Sequence, residues 1–359
     1  MRYALLLLAV TASAAPCITA TAACTEFVAL NGEAARVLVY RSYPLQLRNE
    51  AITRALILIH GGGRDANNEF RTALAAAYLA GATEDTLLIA PRFAANTGAN
   101  VATACKDALD PGELNWVCDV QSPDSWRAGG AAIGAAGLTS FDAIDQLLRA
   151  LARKEIFPNL KGIVVAGQSA GGMFVTRYEM ANRVHETLGV PVSYVVSNPN
   201  IYAYLDGFRP EAAESDAERF APFADANNCT RFDDWPYGLH NRTGYSARLT
   251  EEQLRKQLAA RPTTYLLGDL DVFPAPNWDP SCPASAPAPS RDTMDPNWDP
   301  SCPAMAQGPT RLARGKSFNA YVNQRFGAQH KAVIVRFCGH NSRCMFTADV
   351  ALPILFPKP

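Results

Sequence analysis

With 359 residues, 48% hydrophobic and 19% charged, the chain has the composition of a globular protein with a sizeable core and not that of a disordered segment. Lys plus Arg number 33 and Asp plus Glu 34, leaving a formal charge of -1. That balance supplies no field for steering nucleic acid or an anionic membrane, so polyanion partners are excluded as the main business of the protein.

The first residues, Met1-Arg2-Tyr3 followed by the apolar run Ala4 to Val10, lead into small-residue sites at Ala12-Ser13-Ala14 and Ala20-Thr21-Ala22. This is the pattern of a secretory signal, taken as residues 1–23, with 24–359 as a single domain of a secreted or periplasmic protein. No later stretch reaches the roughly 20 apolar residues that a membrane-spanning helix needs. Cleavage near Ala22 or Ala23 would remove Cys17 and leave eight cysteines for disulfides, which export permits. Lipid attachment at Cys24 is an alternative, although Thr21 stands where a bulky aliphatic is expected. Cys105 with Cys118 and Cys338 with Cys344 can close small loops, while Cys24, Cys229, Cys282 and Cys302 admit several pairings. The C-x-x-C pairs of a structural zinc site are missing, so no metal is expected.

Continuous apolar runs follow at Arg36 to Tyr40, Ala55 to His60, Thr86 to Pro91, Gly162 to Gly167, Val192 to Ser197, Thr263 to Gly268 and Ala332 to Phe337. Such runs suit strands buried on both faces. Between them lie helical stretches near Asn67 to Leu79, Ser140 to Arg153, Ala170 to Val184 and Thr310 to Phe326, with Ser140 a candidate cap for the second. The alternation predicts an α/β fold, a mostly parallel sheet with helices on both faces. Two stretches break the pattern. Residues 202–261, polar and aromatic, read as a cap inserted over the ligand-binding edge. Residues 276–315 contain a tandem duplication in which Pro276 to Ala284 returns unchanged as Pro296 to Ala304, and 12 of 20 positions match across the two units. Two copies are too few for a solenoid, so the repeat is a loop elaboration.

The chemistry is concentrated at four places. Gly167-Gln168-Ser169-Ala170-Gly171 ends an apolar run and opens a helix, as a nucleophile elbow does, with glycines where side chains would strike neighbouring backbone. A serine hydroxyl needs a histidine to take its proton and a carboxylate to hold that histidine. Of the five histidines, His340 alone follows the last apolar run through a short Cys338-Gly339 loop and is the candidate base. His60, His185, His240 and His330 read as structural. Strand Thr263 to Gly268 runs into two carboxylates, of which Asp271 is the candidate acid and Asp269 its rival. Ile57-Leu58-Ile59 runs into His60-Gly61-Gly62-Gly63, whose N–H groups can face a developing oxyanion together with the Ala170 N–H. The order Ser169, Asp271, His340 excludes the chymotrypsin and subtilisin orders.

Taken together, His60-Gly-Gly-Gly63, Gly167-x-Ser169-x-Gly171, Gly268-x-x-Asp271 and Gly339-His340 make the chain from about residue 36 onward resemble secreted serine esterases of the α/β-hydrolase fold. Asn198 to Tyr202 and Trp235 to Gly238 also resemble segments of a poorly characterised group of such hydrolases. The resemblance implies an α/β-hydrolase fold and hydrolysis of a small-molecule or polymeric carboxylic ester without a cofactor. Ser169, Asp271 and His340 would then be catalytic, with the N–H groups of Gly62, Gly63 and Ala170 as oxyanion hole. A serine peptidase on the same fold and a noncatalytic binding protein are the competing readings. The duplicated loop directly after Asp271 departs from the family pattern. Trp278 and Trp298, with Tyr237, are either an aromatic rim for substrate or loop packing. Asp292, Asp295 and Asp299 could instead bind calcium, although the glycine-turned ligand loop is missing. Cys338 and Cys344 bracket His340, which predicts a disulfide pinning the base.

Overall fold

The computed structural model describes residues 15–30, 34–97, 105–211, 219–272 and 298–358. Strands β1 (Thr25–Ala29), β2 (Arg36–Arg41) and β3 (Arg54–Ile59) come first, then helix α1 (Ala66–Leu79) and β4 (Thr86–Pro91). A short ladder of β5 (Ala131–Ala132) and β6 (Ala135–Thr139) precedes α2 (Ser140–Leu151), β7 (Gly162–Gln168), α3 (Ala170–Ala181) and β8 (Val192–Ser197). After a two-stranded ladder of β9 (Phe208–Pro210) and β10 (Phe220–Pro222) come α4 (Glu251–Ala260) and β11 (Thr263–Gly268). The chain closes with α5 (Cys302–Met305), α6 (Arg311–Phe326), β12 (Lys331–Val335), α7 (Ser342–Thr347) and α8 (Leu352–Leu355).

Eight strands form one sheet in the order β1-β2-β4-β3-β7-β8-β11-β12. From β4 to β12 every neighbouring pair is parallel, and β1 and β2 add an antiparallel edge. The apolar runs work because successive side chains point to opposite faces and both faces are covered. Ile57, Val165, Val196 and Leu267 enter one core, shared with α2, α3, α4 and α6. Leu56, Leu58, Val164 and Leu266 enter a second, with residues of α1, α7 and α8. A parallel sheet brings all its strand ends to one edge. Ile59, Pro91, Gln168, Ser197, Gly268 and Val335 therefore deliver their following loops to the same place.

Several sequence expectations change. The cap of α2 is Thr139, whose hydroxyl accepts from Asp142 N–H at 3.2 Å while Asp142 Oδ2 accepts from Thr139 N–H at 2.9 Å. Ser140 instead donates to the Trp126 carbonyl. Within 202–261, residues 251–260 are α4, a sheet-flanking helix that packs on α3 and α6. It escaped the sequence reading because only Leu254 and Leu258 of its side chains are buried. The last strand ends at Val335, two residues early, so Arg336 and Phe337 belong to the loop that carries His340.

Four disulfides join Cys17 to Cys24, Cys105 to Cys118, Cys229 to Cys302 and Cys338 to Cys344. The second and fourth are the pairs expected from spacing. Cys17 is the surprise, since cleavage near Ala22 would discard it. Its N–H donates to the Ser42 carbonyl, and its partner Cys24 is fully buried, which also leaves no thiol there for a lipid. Cys282 lies outside the described residues. Among the described residues no helix is long and apolar enough to cross a membrane.

Candidate active site

Ser169 sits between β7 and α3 with φ 60° and ψ -117°, a left-handed conformation that a side chain adopts only under strain. The flanking glycines permit the turn. A methyl group on Gly167 would stand 2.5 Å from the Gly171 carbonyl, and one on Gly171 2.2 Å from the Ile59 carbonyl. The Ser169 N–H donates to the Ser197 carbonyl at 2.9 Å, locking the elbow to the neighbouring strand end.

The structure brings the three predicted side chains together across 171 residues of chain. Ser169 Oγ lies 2.8 Å from His340 Nε2, and His340 Nδ1 lies 2.7 Å from Asp271 Oδ2. The carboxylate fixes the tautomer: Nδ1–H donates to Asp271, leaving Nε2 to accept from the serine hydroxyl. Asp271 is 2% exposed. Among the described residues the rival Asp269 makes no contact of this kind, and its backbone N–H donates to the Val335 carbonyl. Two further ties fix the loop that carries His340. Cys338 bonds to Cys344, and the Cys338 carbonyl accepts from Leu270 N–H at 3.1 Å, next to Asp271.

The glycine loop after β3 is clamped from both sides. His60 is fully buried, edge-on to Phe93 and Trp126, and burial pushes its pKa down to about 3. Neutral, it accepts from Phe93 N–H at Nε2 (2.9 Å) and donates from Nδ1 to the Gly61 carbonyl (2.8 Å). Arg64, itself at φ 58°, donates from Nη1 to the Gly62 carbonyl at 2.7 Å. Its guanidinium is held by both oxygens of Asp107 at 2.6 and 3.1 Å. In a trans peptide the C=O and the next N–H point opposite ways. Pinning the carbonyls of Gly61 and Gly62 therefore sets the directions of the Gly62 and Gly63 N–H groups. Ala170 opens α3, so its N–H is one of the first-turn donors without an acceptor inside the helix.

The remaining candidates have structural duties. Tyr237 is 2% exposed and donates to Asp299 Oδ2 at 2.7 Å; Trp298 is 8% exposed, beneath the guanidinium groups of Arg311 and Arg314. Neither forms a rim, because both are committed to packing, and Trp278 lies outside the described residues. Asp299 also accepts from Gln121 and from Ser301 N–H, so its oxygens are occupied by protein donors; Asp292 and Asp295 lie outside the described residues. His185 contacts the Tyr194 hydroxyl, His330 the Tyr265 hydroxyl, and His240 approaches Asp233. Sequence reasoning missed Arg64, Asp107 and Arg311. Arg64 directly follows the three glycines, the one local signal that could have marked it.

No protein-family model matches the chain, and no curated protein matches it by sequence. Solved structures do. LpqC, the poly(3-hydroxybutyrate) depolymerase from Bordetella parapertussis, is similar at 21% identity and a TM-score of 0.55, over 92% of this chain and 90% of that one. Poly(aspartic acid) hydrolase-1 from Sphingomonas sp. KT-1 is similar at 19% identity and a TM-score of 0.53, over 92% and 98%. Strand order, the strained serine after β7 and these likenesses agree: the chain has the α/β-hydrolase fold.

Proposed function

We propose that the protein is a secreted hydrolase of carboxylic esters, with Ser169 as nucleophile, His340 as general base and acid, and Asp271 as the group that orients the imidazole. The observation that carries this reading is the continuous hydrogen-bonded line from Ser169 Oγ through His340 to Asp271, at 2.8 and 2.7 Å. Ser169 Oγ attacks the ester carbonyl while its proton passes to His340 Nε2. Negative charge then develops on the carbonyl oxygen, facing the N–H groups of Gly62, Gly63 and Ala170. Collapse expels the alcohol, which takes the proton from His340 and leaves an acyl-serine. Water, deprotonated by the same imidazole, attacks the acyl carbon, and the second collapse returns the proton to Ser169 Oγ and releases the acid.

Small esters and polyesters both suit this chemistry, and the named substrate of LpqC favours including a polyester among those tried. The named substrate of the second neighbour, poly(aspartic acid), keeps amide hydrolysis as the second reading. Export is supported by the leader-like N-terminus and four disulfides, bonds that persist in oxidising compartments.

The test is a panel of p-nitrophenyl acyl esters of rising chain length beside matched anilides, with Ser169→Ala as control. Hydrolysis of the esters should fall by at least about 1,000-fold in the variant. Ser169→Ala with undiminished turnover overturns the mechanism, and faster cleavage of the anilides favours the second reading.

A further inference from the structure

Arg311 occupies a place that local physics disfavours. It is the first residue of α6, where the positive end of the helix dipole opposes a cation, and the first turn of that helix holds no acidic side chain. Its side chain is also 1% exposed, so its charge has been taken out of water. Among the described residues, two neighbours bear on it. Arg311 Nη1 lies 3.5 Å from Asp271 Oδ1, the oxygen that His340 does not use. The guanidinium carbon stands 5.2 Å from the centre of the Trp298 ring.

Trp298 is fixed in turn. Arg314 covers it at 4.1 Å and is anchored by the carbonyls of Gly308 and Asn200 and by Asn200 Oδ1. The neighbouring Asp299 is tied to Tyr237 and Gln121, and Cys302 is bonded to Cys229. The described part of the second copy, residues 298–304, is thus anchored at several points, with its tryptophan ring against Arg311. Leu312 N–H donates to the Asp271 carbonyl at 3.2 Å, so α6 holds the acid by backbone as well as by charge.

We propose that Arg311 is a positioning residue for the triad: its guanidinium, seated against Trp298, holds Asp271 in the orientation that directs the other carboxylate oxygen at His340 Nδ1. The inference rests on the Ser169, His340 and Asp271 reading. A carboxylate 2% exposed with one oxygen facing His340 needs a second partner, or it turns between its two oxygens and releases the imidazole. A planar guanidinium does this where an ammonium does it less well, because its face lies against the ring while its edge meets the carboxylate. In this way Trp298, from the second copy of the repeat, becomes part of how the acid is held.

The test compares Arg311→Met and Arg311→Lys with the native chain, each alone and combined with Asp271→Asn. Arg311→Met should lower kcat by about 100-fold, the order expected for a misplaced catalytic group, with KM unchanged, and Arg311→Lys should recover part of the loss. The far-downfield proton of His340 Nδ1 in the NMR spectrum should broaden or vanish in Arg311→Met and persist in Arg311→Lys. In the Asp271→Asn background neither change should cost anything further, since Arg311 acts through the acid. Native kcat in a folded Arg311→Met, or a loss that adds undiminished to Asp271→Asn, overturns the proposal. If Arg311→Met does not fold, the Arg311→Lys comparison decides by the same two criteria. A native chain that a fluorophosphonate fails to label at Ser169 overturns the triad reading itself.

Discussion

His60 shows how one buried side chain braces the glycine loop beside the Ser169–His340–Asp271 line. It stands at 0% exposure between Phe93 N–H and the Gly61 carbonyl, and each ring nitrogen has one partner that only the neutral tautomer satisfies. Burial in an apolar setting, which disfavours the charged ring, pushes its pKa down to about 3; protonation would also set a second N–H against the Phe93 N–H. The linkage follows: the unfolded chain takes up this proton near pH 6.5, the folded one only near 3, so stability from this site is complete above 6.5 and is lost as pH falls toward 3. His60→Ala removes the clamp on the Gly61 peptide. It should reduce kcat by about 100-fold with little change in KM, read from initial rates on a soluble ester. The sequence marked His60 as part of the glycine loop but could not say whether it was a base or a brace. That depends on Phe93 and Trp126, 33 and 66 residues away in the chain.

The elements that carry the site are held to one another by few but specific bonds, and α1 and α7 illustrate it. Glu69 of α1 is 3% exposed and accepts from Ser342 Oγ at 2.7 Å, two residues beyond the base. Burial pushes its pKa up to about 7 from 4.5. Here the folded state binds the proton more tightly, so the contribution is present below pH 4.5 and is lost as pH rises through about 7. Its full size is about 3 kcal/mol. Glu69→Gln keeps a side-chain acceptor for Ser342 without the charge. Its advantage over the native protein should therefore grow from pH 5 to pH 8, measured as the difference in urea midpoints, and an advantage independent of pH would refute the assignment. Helix α7 itself was not predicted. Its six residues are too few for a periodic pattern, and a disulfide and Asn341, whose side chain accepts from Cys344 N–H, define it instead.

At the scale of the whole molecule, the sheet brings the loops of its six parallel strands to one edge, and disulfides fasten the periphery. The Cys17–Cys24 bridge bears on processing. Cleavage near Ala22 or Ala23 would sever Cys17 from its partner, whereas cleavage after Ala14, at the other small-residue site, keeps the bridge within the mature chain. Intact mass and N-terminal sequencing of exported protein should give a chain beginning at Ala15. A chain beginning at Ala23 or Cys24 would refute this. The sequence by itself determined the parallel α/β sheet, because apolar runs buried on both faces need no long-range information to be recognised. It also determined the elbow, because strain at Ser169 demands glycine at fixed offsets, and it singled out Asp271 and His340 by their places after strands. Only the tertiary structure decided what those residues touch. The clamp of Arg64 by Asp107, the seat of Arg311 between Trp298 and Asp271, and the pairings of Cys17 and Cys229 join stretches whose spacing obeys no local period. Hydrogen bonds, charge contacts and disulfides between distant segments are set by where the packed sheet and helices bring them, and no window of sequence contains that.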